Sequence, residues 1–365
     1  MKKKIQILFI VPSMNGGGAE KVISTLLQYM NADLFQISLV LLVKEGVFLK
    51  DIPSHVSLID LNVKRVRYAL GKIIKVIIKT KPDIVFSTLG HLNLAISMLI
   101  PLLKIRMKKK IIYIARESNT VSVINQQEKY TIIMNLLYKY YYSHFDYIIA
   151  QAEYMKNDLI ENYNLDKNKI QVIYNPVDIE KINVLANKVR TNVFASNKIN
   201  LLAVGRLSYQ KGFDILLKAL IYLDERFFLT ILGTGNEYEN LKEQIIFANL
   251  EHKVCLKGFE DNPYPYMKQA DILILSSRFE GFPNVVLESN ACNTPVIAFN
   301  CPGGIEEIII SSENGWLVEC GNYKELAKTL NTIEFSRQYD IENIKRFDIH
   351  YIIQQYEEFF IKILE

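Results

Sequence analysis

The segment Ser277–Ser289, SRFEGFPNVVLES, decides how this chain is interpreted. It contains two carboxylates, Glu280 and Glu288, with seven residues between them. The strand-like run 271–275, DILIL, lies just before it and predicts a strand, and Gly and Pro residues break the chain after Glu280. We therefore expect Glu280 in a loop at the carboxyl end of a strand, and Glu288 about one turn into the following helix. Ligands bind at this edge of an open α/β sheet.

The start of that helix predicts an anion site. Asn284 is a residue type that caps helices, and it predicts a helix that begins at Val285. The backbone N–H groups of residues 282–286 would then point out of a helix start, where phosphate groups bind. A phosphate cradle between two carboxylates that can bind hydroxyl groups suits a nucleotide sugar.

The spacing of Glu280 and Glu288 resembles the E-x7-E signature of retaining glycosyltransferases of family 4. An ordinary strand–loop–helix with one exposed glutamate explains the spacing alone equally well, but the string FEGFPNVVLE makes the resemblance specific. It implies an α/β protein of the GT-B fold, with two Rossmann-like, doubly wound domains and the active site in a cleft between them. It also implies that Glu280 faces the donor sugar and that Glu288 binds ribose hydroxyls. The further donor-binding residues that it implies are Gly281, Phe282, Pro283, Asn284 and Val285.

Length and pattern predict two domains. A chain of 365 residues exceeds the size at which a single core keeps growing. Strand and helix patterns alternate in both halves, which favours parallel, doubly wound sheets. The NPVD sequence at 175–178 resembles the hinge of the family. We expect an acceptor-binding domain at 1–175 and a nucleotide-sugar-binding domain at 176–345. The resemblance adds a carboxyl-terminal helix at 346–365 that crosses back to the first domain.

Two cations flank the loop that follows the strand predicted at 200–204. Arg206 can bind a diphosphate with two parallel N–H groups, and Lys211 adds a second positive charge. In a catalytic role, both charges would stabilise the departing nucleoside diphosphate. The loop resembles the GRL…KG element of the family. A surface arginine and lysine is the alternative for this loop taken alone.

Glycines follow the first predicted strand, in the sequence NGGGAE at 15–20. They let the backbone approach a ligand closely, and the following helix start favours phosphate. The loop resembles the GG-A-E/Q loop of the family, which implies that Gly17 and Gly18 border the donor diphosphate and the acceptor. A generic flexible turn is the alternative. The resemblance further implies that the backbone around Gly258 and Phe259 packs against the nucleobase.

The first domain departs from the family at its fifth strand. Many members have a histidine after that strand, whereas here the predicted strand 111–115 continues into Arg116 and Glu117. His91, after the fourth strand, is the nearest substitute as a catalytic residue, although a lone loop histidine is more often structural. Arg116 and Glu117 are candidate contacts to the acceptor or the sugar.

The charges are distributed unevenly along the chain. Residues 1–150 contain 21 Lys and Arg against 9 Asp and Glu, a balance of +12. Residues 151–365 contain 22 against 30, a balance of −8. This asymmetry predicts an anionic partner for the first half. The candidates are nucleic acid, an anionic membrane surface and a diphosphate-linked lipid.

The run Leu92–Ile105 bears on that choice. It is apolar, too short to span a membrane, and followed closely by Lys108, Lys109 and Lys110. An apolar segment with a basic flank suits a membrane interface; a buried helix that ends at a solvated charge run is an equal alternative. No signal peptide is evident. We therefore expect a cytoplasmic protein that associates peripherally with the inner face of the cell membrane and does not bind nucleic acid.

Metal-binding motifs are missing from the sequence. There is no D-x-D and no H-E-x-x-H, and the four cysteines lack metal-ligand spacing. We expect reduced thiols, no metal and no other cofactor.

The resemblance implies retaining transfer of a hexose or N-acetylhexosamine from a nucleotide diphosphate sugar, with a UDP-sugar favoured. The implied acceptor is a polyprenyl-diphosphate-linked oligosaccharide in the synthesis of bacterial surface polysaccharide. One alternative is a nucleotide-sugar 2-epimerase of the same fold, whose additional carboxylates and histidines are not evident. The other is a non-catalytic sugar-nucleotide-binding subunit, against which the intact cations and carboxylates argue.

Overall fold

The computed structural model describes residues 3–188, 192–194, 197–335 and 342–365. The chain forms two compact units. The first comprises Met1–Pro176 and His350–Glu365, and the second comprises Val177–Ile349.

The unit boundaries lie close to the ends of the expected domains. The first unit ends at Pro176 rather than at residue 175, and the chain returns to it at 350 rather than at 346. Hydrogen bonding between the two chain segments explains these shifted boundaries: the Val177 N–H donates to the Phe347 carbonyl oxygen at 2.9 Å. Residues up to 349 therefore group with the second unit.

Parallel strands form the sheet of the first unit. Among its described residues the strands are β1 (Ile5–Val11), β2 (Phe35–Leu41), β3 (Ser57–Asp60), β4 (Ile84–Thr88), β5 (Ile112–Arg116), β6 (Tyr147–Ala150) and β7 (Ile170–Val172). The helices are α1 (Gly18–Tyr29), α2 (Val66–Thr80), α3 (Gly90–Arg106), α4 (Val121–Gln126), α5 (Thr131–Tyr141) and α6 (Glu153–Tyr163).

The strand order of this sheet is β3-β2-β1-β4-β5-β6-β7. Every residue of β4 and β5 is buried, as expected for central parallel strands with both faces covered. The order reverses between β1 and β4, so the loops after these two strands border the crevice in which doubly wound sheets bind ligands.

The second unit repeats this architecture. In the part of Val177–Ile349 that the structure describes, the strands are β8 (Ile199–Val204), β9 (Phe227–Leu232), β10 (Val254–Gly258), β11 (Ile272–Leu275), β12 (Val296–Asn300) and β13 (Gly315–Glu319). The helices are α7 (Ile179–Ala186), α8 (Phe213–Leu220), α9 (Tyr238–Phe247), α10 (Tyr264–Gln269), α11 (Asn284–Ala291) and α12 (Tyr323–Thr332). The strand order is β10-β9-β8-β11-β12-β13, so the reversal falls between β8 and β11.

The carboxyl-terminal helix, α13 (Ile349–Lys362), packs on the sheet of the first unit. Tyr356 and Phe360 are fully buried. Their ring centroids lie 6.4 and 5.9 Å from that of Phe86 in β4. Aromatic packing of this kind contributes both buried area and favourable edge-to-face geometry.

The predicted alternation of strands and helices is confirmed in both halves. Among the strands and α-helices given above, β3, α7 and α10 were not predicted. The strand β3 lies at the sheet edge and is only partly buried, so it lacks a strong apolar pattern. The helix α7 lies in a weakly patterned segment, and its start is defined by Asp178, whose side chain accepts the Lys181 N–H at 2.9 Å.

The apolar run 92–105 lies within α3, and its first part is mostly buried. Leu92, Ile96 and Ile100 contribute to the core of the first unit. The alternative of a buried helix is therefore confirmed for the first part of this run, whereas Met98 and, towards its end, Pro101, Leu102, Lys104 and Ile105 are exposed. No helix in the described residues combines the length and the apolar character needed to cross a bilayer.

Candidate active site

Two loops meet at the reversal point of the second sheet. We call residues 205–212, after β8, the β8 loop, and residues 276–283, after β11, the β11 loop. The loops approach closely at Gly212, which has φ +61°; a Cβ atom there would lie 2.1 Å from the Ser276 carbonyl oxygen. The Ser276 hydroxyl donates to the Lys211 carbonyl oxygen at 2.9 Å. Glycine is therefore required at 212, and the contact places Lys211 beside the β11 loop.

An ion pair joins the two loops. Lys211 Nζ lies 2.6 Å from Glu280 Oε1, and the two side chains are only 18% and 8% exposed. The Ser277 hydroxyl donates to the same carboxylate oxygen at 2.6 Å. A carboxylate this buried needs its cation and its hydrogen bonds, because removal of one partner leaves an uncompensated charge. The structure thus brings together the predicted residues Lys211 and Glu280.

A third loop supports Glu280 from the other side. The Glu280 N–H donates to the Pro302 carbonyl oxygen at 3.0 Å, and the Gly304 N–H donates to the Gly281 carbonyl oxygen at 2.7 Å. Gly303 has φ +139°, and a Cβ atom there would lie 2.3 Å from the Glu280 carbonyl oxygen. The loop after β12 therefore fixes the backbone on which the Glu280 side chain is carried.

The helix after the β11 loop begins one residue earlier than predicted. Its first residue is Asn284 and its N-cap is Pro283, so the prediction that Asn284 caps a helix from Val285 is wrong. Pro283 is in the extended conformation that a proline readily adopts before a helix. Glu288 lies in the second turn and is half-buried.

The other predicted donor-binding residues lie in or next to the β11 loop. Gly281, Phe282 and Pro283 are buried, whereas Asn284 and Val285 are half-buried. The Phe282 ring packs edge-on against Phe347 at 5.4 Å.

Arg206 differs from Lys211 in its surroundings. Its side chain is exposed, and its guanidinium makes no hydrogen bond or ion pair with any residue that the structure describes. Because the charge of Lys211 is matched by Glu280, Arg206 supplies the uncompensated positive charge on the β8 loop. A free guanidinium is suited to bidentate binding of phosphate.

Gly258 and Phe259 lie two strands away from the ion pair, at the end of β10. Gly258 has φ +89°, and its carbonyl oxygen accepts the Gly233 N–H at 2.7 Å. The Phe259 side chain is exposed. An exposed ring at a strand end is available for stacking on a planar ligand, and the contact to a nucleobase stays a prediction.

In the first unit, Gly17 is the N-cap of α1 and Gly18 is its first residue. The Glu20 carboxylate lies against Gly17 at this helix start. A carboxylate in the first turn is favourable there because it interacts with the positive end of the helix dipole. An anionic ligand at this helix start would therefore need Glu20 to move aside.

Arg116 is fully buried at the end of β5. Its Nη2 donates to Asn175 Oδ1 at 2.6 Å, and its Nε donates to the Tyr356 hydroxyl at 3.2 Å. Nη1 is buried without a partner among the described residues. The guanidinium therefore joins β5 to Asn175 and to the carboxyl-terminal helix, all within the first unit.

Glu117 is buried next to Arg116. Its carboxylate accepts hydrogen bonds from Asn93 Nδ2 at 2.8 Å and from the Tyr142 hydroxyl. Burial raises the pKa of Glu117 to about 7, although both hydrogen bonds favour the ionised form. Asn93 and Tyr142 were not among the predicted site residues; an amide side chain within the mostly apolar run 92–103 is the signal that could have identified Asn93.

His91 is the second residue of α3, and its side chain is 66% exposed. Its Nε2 lies 3.3 Å from the Glu128 carboxylate. In the described part of the chain, no three His, Cys, Asp or Glu side chains are close enough to hold a metal ion together.

Two doubly wound parallel sheets, the second with charged loops at its reversal point, define an α/β protein of the GT-B class. Residues 16–181 match the model of Glycosyltransferase Family 4, and residues 186–346 match the model of Glycosyl transferases group 1. The chain belongs to this family of glycosyltransferases.

Relatives and solved structures agree with the assignment. An uncharacterized glycosyltransferase of Methanocaldococcus jannaschii is 32% identical over 251 residues, which cover 67% of this chain and 62% of that protein. The N-acetylgalactosamine-N,N'-diacetylbacillosaminyl-diphospho-undecaprenol 4-alpha-N-acetylgalactosaminyltransferase of Campylobacter jejuni is 29% identical over 332 residues, 88% of each chain. The crystal structure of HepE from Anabaena in complex with UDP-glucose has a similar fold, with a TM-score of 0.81 at 21% identity, and the match covers 98% of this chain and 100% of HepE.

Glu117 gives a prediction for the pH dependence of stability. Its pKa in the folded protein, about 7, lies above the ordinary value of 4.5. The stability that the buried, protonated carboxyl contributes is therefore complete below pH 4.5 and is lost as the pH rises through 7. Relative to Glu117→Gln, the free energy of unfolding of the wild type should fall by about 3 kcal/mol between pH 4.5 and pH 7.5. Denaturant unfolding at a series of pH values measures this difference. The exposed Glu161, changed to Gln, is the control; parallel profiles for the wild type and Glu117→Gln would refute the assignment.

Proposed function

We propose that this protein is a retaining glycosyltransferase that moves a hexose or an N-acetylhexosamine from a UDP-sugar to a lipid-linked oligosaccharide in bacterial polysaccharide biosynthesis. The observation that carries the proposal is the Lys211–Glu280 pair beside the unpaired Arg206. A buried carboxylate with its cation, next to a free guanidinium, suits a ligand that bears both hydroxyl and phosphate groups.

The names of similar proteins support the choice of substrates. The Campylobacter relative is named as an N-acetylgalactosaminyltransferase that acts on a diphospho-undecaprenol. HepE, of similar fold, was crystallised with UDP-glucose. The HepE complex favours a UDP-sugar as donor, and the name of the Campylobacter relative favours an acceptor on a lipid diphosphate.

Each candidate site residue of the second unit has a separate role in this proposal. Arg206 binds the diphosphate through parallel N–H groups, and Lys211 adds a second cation beside it. Glu288, half-buried on α11, accepts hydrogen bonds from the ribose hydroxyls. Glu280 forms the ion pair with Lys211 and accepts hydrogen bonds from the hydroxyls of the donor sugar. Cations placed where negative charge develops stabilise the departing diphosphate more than the bound donor, and this difference accelerates the reaction.

The transfer step replaces one bond at the anomeric carbon by another. The bond from that carbon to the diphosphate oxygen breaks as the acceptor oxygen attacks from the same face, so the configuration is retained. The proton of the acceptor hydroxyl passes to an oxygen of the departing diphosphate. The step needs no redox partner, and the two cations hold the charge that remains on UDP.

Arg206→Ala tests the donor site without disturbing the fold. The guanidinium is exposed and has no partner among the described residues, so the melting temperature should not change. Turnover of the preferred UDP-sugar should fall on the order of 100-fold, because one charge-assisted contact to the departing group is lost. Release of UDP from a panel of nucleotide sugars, with and without acceptor, gives the measurement. Lys242→Ala, at an exposed lysine of α9, is the matched control.

Lys211→Ala should lower both activity and stability. It leaves the buried Glu280 carboxylate without its cation, which costs roughly 3 kcal/mol or more. Full activity in both Arg206→Ala and Lys211→Ala would show that the donor binds elsewhere. UDP release that does not increase with any lipid-linked acceptor would favour an activity other than transfer.

A surface of the first unit fits the proposed association with an anionic membrane. The helices α3 and α5 pack against each other. Together the two helices expose seven large apolar side chains. We call this set of side chains the α3–α5 face: Met98, Leu102, Ile105, Ile132, Ile133, Leu136 and Tyr140. Neither helix contains an acidic residue.

Cations surround this face. Arg106, Lys108, Lys129 and Lys139 are exposed at or near the ends of the two helices. Apolar side chains flanked by cations, without carboxylates between them, match the acyl boundary and the anionic headgroups of a bilayer. The positive balance of the first half agrees with this choice of partner.

Replacement of Ile132 and Leu136 by Ser should weaken binding to vesicles of phosphatidylethanolamine and phosphatidylglycerol by about 10-fold or more, because two apolar side chains no longer enter the bilayer. Vesicle co-sedimentation at low and high salt gives the measurement. The control replaces Ile246 and Phe247 by Ser, since these are exposed apolar residues of the acidic half. Equal binding by the two double variants would exclude the α3–α5 face. Loss of self-association in Ile132→Ser/Leu136→Ser, with vesicle binding unchanged, would instead identify this face as a contact between copies.

A further inference from the structure

Arg278 is a partly buried cation that the proposed donor site does not use. It lies in the β11 loop, two residues before Glu280. Its Nη1 and Nη2 donate to Asp214 Oδ1 at 2.9 Å and to Asp214 Oδ2 at 2.7 Å. Asp214 lies in the first turn of α8, directly after the β8 loop. The bidentate pair therefore joins the chain segments that carry Lys211 and Glu280.

Additional contacts make this connection rigid. Arg278 Nη1 also donates to the Tyr209 carbonyl oxygen at 2.7 Å, and the guanidinium lies 4.1 Å above the Tyr209 ring. The Arg278 N–H donates to the Gln210 carbonyl oxygen at 2.8 Å. The Gln210 side chain returns a hydrogen bond to the Phe279 carbonyl oxygen at 3.0 Å. The edge formed by Nη1 and Nη2, and one face of the guanidinium, are thus occupied by the protein itself.

Because its guanidinium already binds protein groups, Arg278 differs from a cation that is free to bind a ligand. Its side chain is 21% exposed and that of Asp214 is 28% exposed, so the pair is largely sheltered from water. A planar fork on a carboxylate defines both distance and orientation, which the single ammonium group of a lysine cannot do. The arrangement is that of a positioning element rather than of a substrate contact.

We propose that Arg278, held by Asp214 and Tyr209, sets the spacing between the β8 and β11 loops and thereby the Lys211–Glu280 geometry on which donor turnover depends. This inference rests on the proposed function of the Lys211–Glu280 site. Residues that hold reacting groups within a fraction of an ångström affect the catalytic rate more than binding, because misplacement weakens interactions that matter most in the transition state.

The test compares Arg278→Lys with the wild type. The substitution preserves the positive charge and removes the two-pronged guanidinium contact with the Asp214 carboxylate. We expect kcat for the preferred UDP-sugar to fall about 30-fold or more, while the Kd of UDP, measured by calorimetry, changes less than about 3-fold. Asp214→Asn should have the same effect. The double variant should be no worse than either single variant, because both act through one pair.

A matched control exists in the same unit. Arg226 forms an ion pair with Asp224 and is 64% exposed, so Arg226→Lys should leave kcat and Kd unchanged. A kcat for Arg278→Lys equal to that of the wild type would refute the positioning role. An equal loss in kcat and in UDP affinity would also refute it and would make Arg278 a direct ligand of the donor. Should Arg278→Lys prove unstable to heat, additive losses of kcat in Asp214→Asn and Tyr209→Leu would refute the role, and a shared, non-additive loss would support it.

Failure of the proposed function has a different signature. A wild-type protein that binds no UDP and turns over no nucleotide sugar would refute the donor site and, with it, this inference. A wild-type protein that is active, with an Arg278→Lys variant that is equally active, would refute the positioning role alone.

Discussion

The ion pair between Lys211 and Glu280 is the constraint on which the candidate donor site depends. Both charges are largely removed from water, and such a pair is stable only where geometry and additional hydrogen bonds offset the loss of hydration. Each partner comes from a different loop at the reversal point of the second sheet. The close approach at Gly212, the Ser277 hydroxyl and the loop after β12 all act on this one spacing.

The distribution of charge bears on how an acidic half would bind the anionic donor that we propose. Residues 151–365 have a balance of −8, and Lys211 is neutralised by Glu280. In the proposed donor site, affinity for a diphosphate would therefore depend on local arrangement, in which the unpaired Arg206 supplies the positive charge and the helix start after the β11 loop supplies backbone N–H groups. The positive balance of the first half has a separate use in the proposed contact with an anionic membrane.

Much of the fold and part of the site could be predicted from the sequence. Apolar runs alternating with helical patterns predicted the two sheets, and Glu280 and Lys211 were identifiable because each follows a strand at the edge where doubly wound sheets bind ligands. The helix start was mistaken by one residue because Pro283 occupies the N-cap position that Asn284 was expected to occupy. The pairing of Arg278 with Asp214 could not be predicted from the sequence, since the partners lie 64 residues apart and only the folded sheet brings them together. The raised pKa of Glu117 likewise depends on burial that no local motif encodes.

Hydrogen exchange of backbone amides, measured by mass spectrometry with and without saturating UDP, tests the location of the donor site most directly. Protection on UDP binding should be concentrated in peptides that cover residues 205–214 and 279–291, which carry Arg206, Lys211, Glu280 and Glu288. Saturable UDP binding that protects only peptides of the first unit, and leaves these two segments unchanged, would contradict the assignment.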